Sequence, residues 1–450
     1  MNPPHAVRAD RLKRLQAMTS EHAEALIAAI NADFGHRSRQ ETQLADLMMV
    51  GAAIRHARRH LKQWMRPRRA PTALHYRPGF NRILRQPLGV VGVVAPWNYP
   101  YQLAMGPAAA ALAAGNRVMV KPSELTPRLS ELLRRIVGDA FAEAELAIVT
   151  GDAAVGKSFV ELPFDHLLFT GSTAVGRMVA QAAAKNLTPV TLELGGKSPA
   201  ILDVSCDFGI AAPRLAQGKL LNAGQTCIAP DYALVPGDRV DEFVLLLRAA
   251  VEKMYPSIGG NPDYTSVVNE RHYQRLNALL EDAQSKGAHI VSICPAAEMP
   301  DPAARKLPPT LVLDVTDEMK IMQEEIFGPL LPIMRYSAIE DAIRYVNSHE
   351  RPLALYWFGT DRANRDRVLR QTISGGVTIN DCLWHFGQED MPFGGIGASG
   401  SGAYHGEYGF RTFSKEKPVF FQSRFNSMFL LRPPYGKVFE RVAALLKRIM

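Results

Sequence analysis

Cys227 lies in Gly224-Gln-Thr-Cys227-Ile228, a thiol among small and polar neighbours. Glu193 sits in Thr191-Leu-Glu193-Leu-Gly-Gly-Lys197, at the end of a strand-like run. A thiolate is a nucleophile and a strand-end carboxylate is a general base, so these two residue types could carry acyl chemistry together. Taken by itself, Cys227 reads equally well as a small buried hydrophobe. Cys206, Cys294 and Cys382 are far from it and from one another, with no Cys-x-x-Cys pair. That spacing supplies neither a disulfide framework nor a zinc knuckle, and it points to a reducing compartment.

Two glycine-rich turns could hold phosphate. Gly151-Asp-Ala-Ala-Val-Gly156-Lys157-Ser158 fits the phosphate-loop pattern after a strand-like Leu146 to Thr150 and alone would suggest an NTPase. Pro163, however, stops any helix begun there, and no apolar strand ending in aspartate suits the magnesium. Phe169-Thr-Gly171-Ser172-Thr-Ala-Val-Gly176 is the second, a turn from strand to helix whose exposed N–H groups could hold a pyrophosphate. His56 and His60 are one helical turn apart but have no evident third ligand, so no metal is expected.

The elements that must position these residues follow from periodicity. The chain has 450 residues, 47% of them hydrophobic and 21% charged, which suits two or three domains. Its formal charge of +8 is spread among acidic residues, the densest basic cluster being Arg66, Arg68 and Arg69, which favours small anionic ligands over nucleic acid. Val7 to Met65 reads as amphipathic helices, with Leu12, Leu15, Leu26, Ile27, Ile30, Leu44, Leu47 and Met48 on the apolar side. Residues 72–86 read as two short strands around a Pro-Gly turn, a protruding hairpin suited to a subunit contact. After Pro87, strand-like Gly89–Ala95, Arg117–Lys121, Leu146–Thr150, His166–Thr170 and Val190–Leu194 alternate with helices such as Pro107–Ala114. That alternation predicts a parallel sheet with nucleotide at its carboxyl ends. A second α/β stretch, Ser198 to Ile396, includes helical Val240–Met254 and Arg271–Lys286. The tail from Ser427 predicts an amphipathic helix carrying Val438, Phe439, Val442, Leu445 and Leu446, for packing or for contact with a membrane surface. Met1 to Ser20 lacks the apolar core of a signal peptide and no run is long enough to span a bilayer, so a cytoplasmic protein is expected.

Several further motifs then fall into one order: Pro96-Trp97-Asn98-Tyr99-Pro100, Lys121-Pro-Ser123-Glu124, the Phe169 turn, the Glu193 and Cys227 segments, Glu324-Glu325-Ile-Phe327-Gly-Pro329, and Pro392-Phe-Gly-Gly-Ile-Gly. In this the chain resembles the aldehyde dehydrogenase superfamily from the N-terminal helices to about Phe421. Asp33-Phe34-Gly35, His405-Gly406 and Arg432-Pro-Pro-Tyr435 look most like its class 3 branch, nearest the bacterial members that act on coniferyl aldehyde. The resemblance implies an α/β aldehyde dehydrogenase-type fold. A Rossmann-like cofactor domain would occupy 1–195 with an oligomerisation hairpin at about 67–86, a catalytic domain 196–396, and a return segment with an oligomerisation strand and the tail 397–450.

The same resemblance implies NAD(P)-dependent oxidation of an aldehyde to its acid. Cys227 would form a thiohemiacetal and then a thioester, the Asn98 amide and the Cys227 N–H would stabilise the oxyanion, and Glu193 would activate water. Relatives that pass the acyl group to coenzyme A tend to lack this carboxylate, so acid is the expected product. Lys121 and Glu124, with Ser123 between them, would meet the adenosine ribose, which favours NAD and leaves NADP open. Trp97, Gly171, Ser172, Gly176 and Leu194 would contact the cofactor. Glu325 would hold the nicotinamide ribose with Phe327 beside the ring, and Asn380 would support that end. Ala174 departs from the acidic residue common at its position in the pyrophosphate turn. Trp97, Tyr101, Trp384, His385 and Phe386 are expected to line a substrate tunnel for an aromatic, coniferyl-type aldehyde, with medium or long aliphatic aldehydes as the alternative. A homodimer is likewise implied.

Overall fold

The computed structural model describes residues 2–294, 298, 302–426 and 428–449. Long apolar runs buried on both faces build two mostly parallel sheets. The first has strands β3 (Val90–Val94), β4 (Arg117–Lys121), β5 (Leu146–Ile148), β6 (His166–Thr170), β7 (Val190–Glu193) and β15 (Gly400–Ser401), in the order β15-β7-β6-β3-β4-β5. The chain starts at β3, adds β4 and β5 on one side, then crosses back to add β6 and β7 on the other. The reversal between β3 and β6 is a topological switch point, where a crevice opens at the carboxyl ends of the strands. Asn98 follows β3, Gly171 and Ser172 follow β6, and Glu193 ends β7, so the candidate residues gather at that edge.

The second sheet holds β8 (Pro199–Leu202), β9 (Tyr232–Pro236), β10 (His289–Ser292), β11 (Thr310–Leu313), β12 (Leu330–Tyr336), β13 (Ala354–Phe358) and β14 (Gly376–Ile379), in the order β10-β11-β12-β9-β8-β13-β14. It is parallel except for β10 against β11. A third, antiparallel sheet joins β1 (Arg68–Ala70), β2 (Phe80–Pro87) and β16 (Ser414–Phe421), with β16 running beside β2 from Ser414↔Pro87 to Phe421↔Phe80.

Three local expectations change. The hairpin is wider than the Pro-Gly turn suggested: β2 pairs with Arg68–Ala70, and Leu74–Tyr76 is a helical turn inside the loop. Pro71, with no N–H to donate, ends the ladder after Ala70. The helix expected from Pro107 begins at Gln102, because the Asp46 carboxylate accepts the Tyr101 and Gln102 N–H groups at 3.1 and 3.0 Å. That cap comes from a distant element, and a local reading of the chain has no access to it. Asp46 itself sits in a π-helical turn, Gln43–Met48, joined to the helix Met49–Trp64. The wider turn shifts the helical phase, so Asp46 and Leu47 face inward while Leu44 and Met48 are exposed.

Ser427, the first residue of the tail, lies outside the described residues. The tail forms the expected helix, Lys437–Ile449, and leaves Val438 and Leu445 each 58% exposed. Among the described residues no helix is long and apolar enough to cross a membrane.

Candidate active site

Cys227 is presented by a strained turn. The helix Phe208–Leu220 ends in three successive left-handed residues, Asn222 (φ 56°), Ala223 (51°) and Gly224 (76°). Left-handed backbone costs about 1–2 kcal/mol at a residue with a side chain, so the turn needs outside support. Glycine is required at 224, where an added Cβ would meet the Gly328 carbonyl oxygen at 2.2 Å. The Asn222 N–H donates to the buried Glu41 carboxylate at 3.0 Å, and its Nδ2 donates to the carbonyls of Asn98 (3.0 Å) and Gln225 (3.1 Å). Gln225 ties the next step down, donating to Ser266 O (3.1 Å) and accepting from the Val268 N–H (2.9 Å).

Asn98 is held from both ends. Its carbonyl accepts from Arg37 Nη1 at 2.6 Å, and its Nδ2 donates to Gln225 O at 3.1 Å, two residues before the thiol. Arg37 and Asp46 form an ion pair at 3.1 Å with neither side chain exposed, and the guanidinium also lies over the rings of Phe34 and Tyr99. Asp46 therefore fixes two N–H groups at the start of the helix Gln102–Ala114, while its partner fixes the carbonyl of Asn98.

Two carboxylates face the thiol. Glu193 is 3% exposed and neither of its oxygens has a hydrogen-bond partner. Burial pushes its carboxyl well above the usual range. Glu325 is raised to about 8, by burial first and then by Asp231, against the Gly196 N–H and the cations Lys197 and Arg275. Burial, followed by the charges of Glu325 and Glu193, pushes the Cys227 thiol up, while the Cys227 and Ile228 N–H groups pull it down. The same burial thus raises the thiol and the two carboxyls together. The Glu324–Glu325 segment is anchored by Arg275, which donates to Glu324 Oε1 (2.6 Å) and Glu325 O (3.3 Å), and by Lys197, which pairs with Asp231 and donates to Glu324 O (3.1 Å). Lys219, buried with an unpartnered Nζ and lowered to about 8 by burial, stands close enough to sense Asp231 and Glu325.

Cys227 lines an apolar cavity of about 140 Å³ together with Tyr99, Leu103, Ile228, Leu383 and Trp384. Trp384 and Phe386 line it as expected; Trp97, Tyr101 and His385 do not. Tyr101 is fully buried with its hydroxyl 2.6 Å from that of Thr19, and His385 bonds Thr378 Oγ1 at 2.8 Å. The Trp97 ring packs between Phe34, His272 and Phe327. Tyr99, which the motif reading passed over, faces the cavity with its hydroxyl 2.5 Å from Thr226 Oγ1.

A separate cleft of about 390 Å³ is lined by Thr173, Gly195, Gly196, Glu325 and Arg351. Glu325 Oε1 is unpartnered there, and Ser172 caps the adjoining helix Thr173–Ala184 by accepting from the Val175 N–H. An unpartnered carboxylate facing a helix N-terminus suits a molecule with hydroxyls at one end and a diphosphate at the other. Gly176 serves packing: a Cβ there would lie 2.6 Å from Leu194. Lys121 Nζ donates to Glu124 at 3.0 Å at the end of β4, and the Ser123 hydroxyl accepts the Leu125 N–H in a local turn. Asn380 is a brace, its amide bonded to both the N–H and the carbonyl of Gly359 (2.7 and 3.0 Å). It secures the loop whose next residues, Asp381 to Trp384, line the cavity.

At the other glycine-rich motif the Asp152 carboxylate already accepts the Ala154 and Val155 N–H groups, and the helix Ala153–Val160 is only 8 residues long. A phosphate would have to displace that cap. The site residues absent from the sequence reading are Arg37, Glu41, Asp46, Lys219 and Asn222. Of these only Asn222, an asparagine two residues before a glycine, carries a local hint of left-handed backbone.

The profile of the aldehyde dehydrogenase family matches residues 2–419, and the chain belongs to this family. The coniferyl aldehyde dehydrogenase of Pseudomonas sp. (strain HR199) is 50% identical over 443 residues, covering 98% of this chain and 92% of the relative. The class 3 likeness is carried by aldehyde dehydrogenase family 3 member A2 of Mus musculus, 41% identical over 92% of this chain and 84% of that protein. The substrate-bound structure of Staphylococcus aureus AldH matches with a TM-score of 0.93 at 38% identity, covering 98% of this chain and 95% of that one.

Proposed function

We propose that the chain oxidises an aromatic, coniferyl-type aldehyde to its carboxylic acid with NAD(P) as hydride acceptor. The observation that carries this is the thiol of Cys227 at the foot of an apolar cavity, with the Asn98 amide beside it and two proton-accepting carboxylates facing it. As the aldehyde binds, the Cys227 proton passes by way of a carboxylate to solvent, which leaves that carboxylate ionised again, and the sulfur adds to the carbonyl carbon. The free N–H of the Asn98 amide and the Cys227 N–H receive the oxyanion that forms. Gln225 O accepts one N–H of that amide while Arg37 and Asn222 fix the Asn98 backbone carbonyl, so little reorganisation is needed as charge develops.

When bound, the nicotinamide cofactor supplies a two-electron acceptor for the hydride leaving the thiohemiacetal carbon, and a thioester on Cys227 results. Glu325 would hold its ribose from the cleft, the first turn of Thr173–Ala184 its diphosphate, and Lys121 with Glu124 its adenosine ribose. Glu193 then takes a proton from water, the hydroxide adds to the thioester, and the acid leaves with the thiol restored. Burial raises the Glu193 carboxyl, which makes its ionised form a stronger base than an exposed carboxylate.

The sheet of β2 and β16, with Phe80, Phe420 and Phe421 exposed on it, supports a homodimer contact. The tail helix, apolar on one stripe with Lys437, Arg441, Lys447 and Arg448 around it, supports contact with an anionic membrane surface. A cytoplasmic location agrees with free cysteines throughout the described residues. The reading is tested by following reduced-cofactor absorbance with an aldehyde panel on wild type and Cys227→Ala. Turnover should vanish in the variant, and an alanine enzyme as fast as wild type refutes it.

A further inference from the structure

The cavity leading to Cys227 has a chemical gradient along its length. Its deep end is buried and nearly all apolar, formed by Tyr99, Leu103, Gly218 and Ile228; its outer end carries the exposed Arg214 and Gln217 and the half-exposed Asp381. One helix face supplies much of this wall. Arg214, Gln217, Gly218 and Leu221 recur at helical spacing along Phe208–Leu220 and the residue after it. Leu221 lies against the thiol loop, since its carbonyl accepts the Thr226 hydroxyl at 3.4 Å. Seven residues at helical rise place Arg214 about 10 Å further out along the axis.

Arg214 and Asp381 are held apart across the mouth. Arg214 Nη1 donates to the Asn380 carbonyl at 2.6 Å and Asp381 Oδ1 accepts the Cys382 N–H at 2.8 Å, so each side chain is anchored through one atom. The atoms that face each other, Arg214 Nε and Asp381 Oδ2, stand 4.0 Å apart, too far for a hydrogen bond. A single hydroxyl oxygen between them could accept from the guanidinium and donate to the carboxylate. That donor-and-acceptor pairing fits a phenol.

We propose that Arg214 and Asp381 recognise the distal phenolic hydroxyl of the substrate, which makes them specificity determinants for 4-hydroxycinnamaldehyde-length aldehydes. The inference rests on the reading of Cys227 as the nucleophile. With bonds of about 1.3–1.5 Å, the para oxygen of a cinnamaldehyde lies roughly 8 Å from its carbonyl carbon, whereas that of a benzaldehyde lies only about 5–6 Å away. The longer skeleton carries its hydroxyl further from the sulfur, towards residues about 10 Å out along the helix.

The test compares kcat/KM for two pairs, cinnamaldehyde against 4-hydroxycinnamaldehyde and benzaldehyde against 4-hydroxybenzaldehyde, on wild type, Arg214→Met and Asp381→Asn. Hydrogen bonds to charged groups should give wild type a preference of roughly ten- to a hundred-fold for the hydroxylated cinnamaldehyde, expressed in KM. The benzaldehyde pair should differ by less than about three-fold, and each substitution should bring the cinnamaldehyde ratio towards one. An unchanged ratio in both variants overturns the proposal. So does an equal hydroxyl preference in the shorter pair, which needs no variant to observe. A variant that loses both cinnamaldehydes in proportion also overturns it, since the residues would then act on folding alone. Failure of the Cys227 reading is separate and shows as aldehyde turnover surviving Cys227→Ala.

Discussion

Glu193→Gln separates the two halves of the reaction and also tests the electrostatics of the site. The substitution keeps the shape of a side chain that has no hydrogen-bond partner to lose, and removes only the ability to take a proton. A positioned general base contributes about 10²–10⁴ in rate, or roughly 2.7–5.4 kcal/mol of barrier, and that loss should fall on thioester hydrolysis. Rapid mixing with aldehyde and NAD should still give a burst of about one reduced cofactor per site, followed by a steady state slower by that factor. Stability should move the other way. The Glu193 carboxyl is raised in the folded protein by burial, so between its unfolded value of about 4.3 and its folded one the unfolded chain releases a proton that the folded chain keeps. Wild type therefore loses about 1.4 kcal/mol of stability for each pH unit crossed in that window, and glutamine, which cannot ionise, loses none. Urea unfolding should show the variant gaining on wild type as pH rises from about 4. Steady-state turnover within three-fold of wild type refutes the base assignment. Loss of the burst together with turnover moves Glu193 to a step before acylation, and equal pH profiles of stability refute the desolvation argument.

Gly195→Ala places a Cβ 2.1 Å from Glu325 Oε2, so the carboxylate must leave its position over the cleft. The expected result is a rise in KM for NAD of about ten-fold or more, from an overpacking strain of about 1–3 kcal/mol; an unchanged KM removes Glu325 from cofactor binding. Glu124→Gln removes the carboxylate that bonds Lys121 and would repel a 2′-phosphate. The ratio of kcat/KM for NADP over NAD should rise about ten-fold, and a constant ratio shows that Glu124 does not face the ribose.

What the sequence made legible was local or repetitive. The strands β3, β4 and β6 were expected almost to the residue, because Val90–Val94, Arg117–Lys121 and His166–Thr170 are short runs bounded by turn residues. Cys227, Glu193 and Asn98 stood out through ordered motifs, and the topology brings their segments to one crevice. What remained hidden depends on distant partners. Nothing near Gln102 announces that its helix is capped by Asp46, 56 positions earlier. The tunnel lining was misassigned because aromatic type was taken for orientation: Tyr99 and Tyr101 are two residues apart, yet one meets Thr226 at the cavity and the other meets Thr19 in the core.

The N-terminal helices, whose amphipathic pattern in the sequence names no site residue, line the supports of the candidate site. Glu41 holds the Asn222 N–H, Arg37 holds the Asn98 carbonyl, and Asp46 holds both Arg37 and the start of the helix behind Asn98. Burying an ion pair completely is costly, and an apolar replacement of similar volume is often as stable. Here apolar side chains could fill the volume but could not satisfy the Asn98 carbonyl and the Tyr101 and Gln102 N–H groups, which are already buried. Those backbone groups position Asn98, whose carbonyl also accepts from Asn222 Nδ2, and the side-chain amide of that residue is the proposed oxyanion donor. A shift of either support would move the amide relative to the sulfur, and an oxyanion donor is effective only within about 2.7–3.1 Å of the charge it meets. The strained turn at Asn222–Gly224 and the buried pair at Arg37–Asp46 are thus two parts of one device. The helical layer is built to hold the amide and the thiol loop in register before any aldehyde arrives.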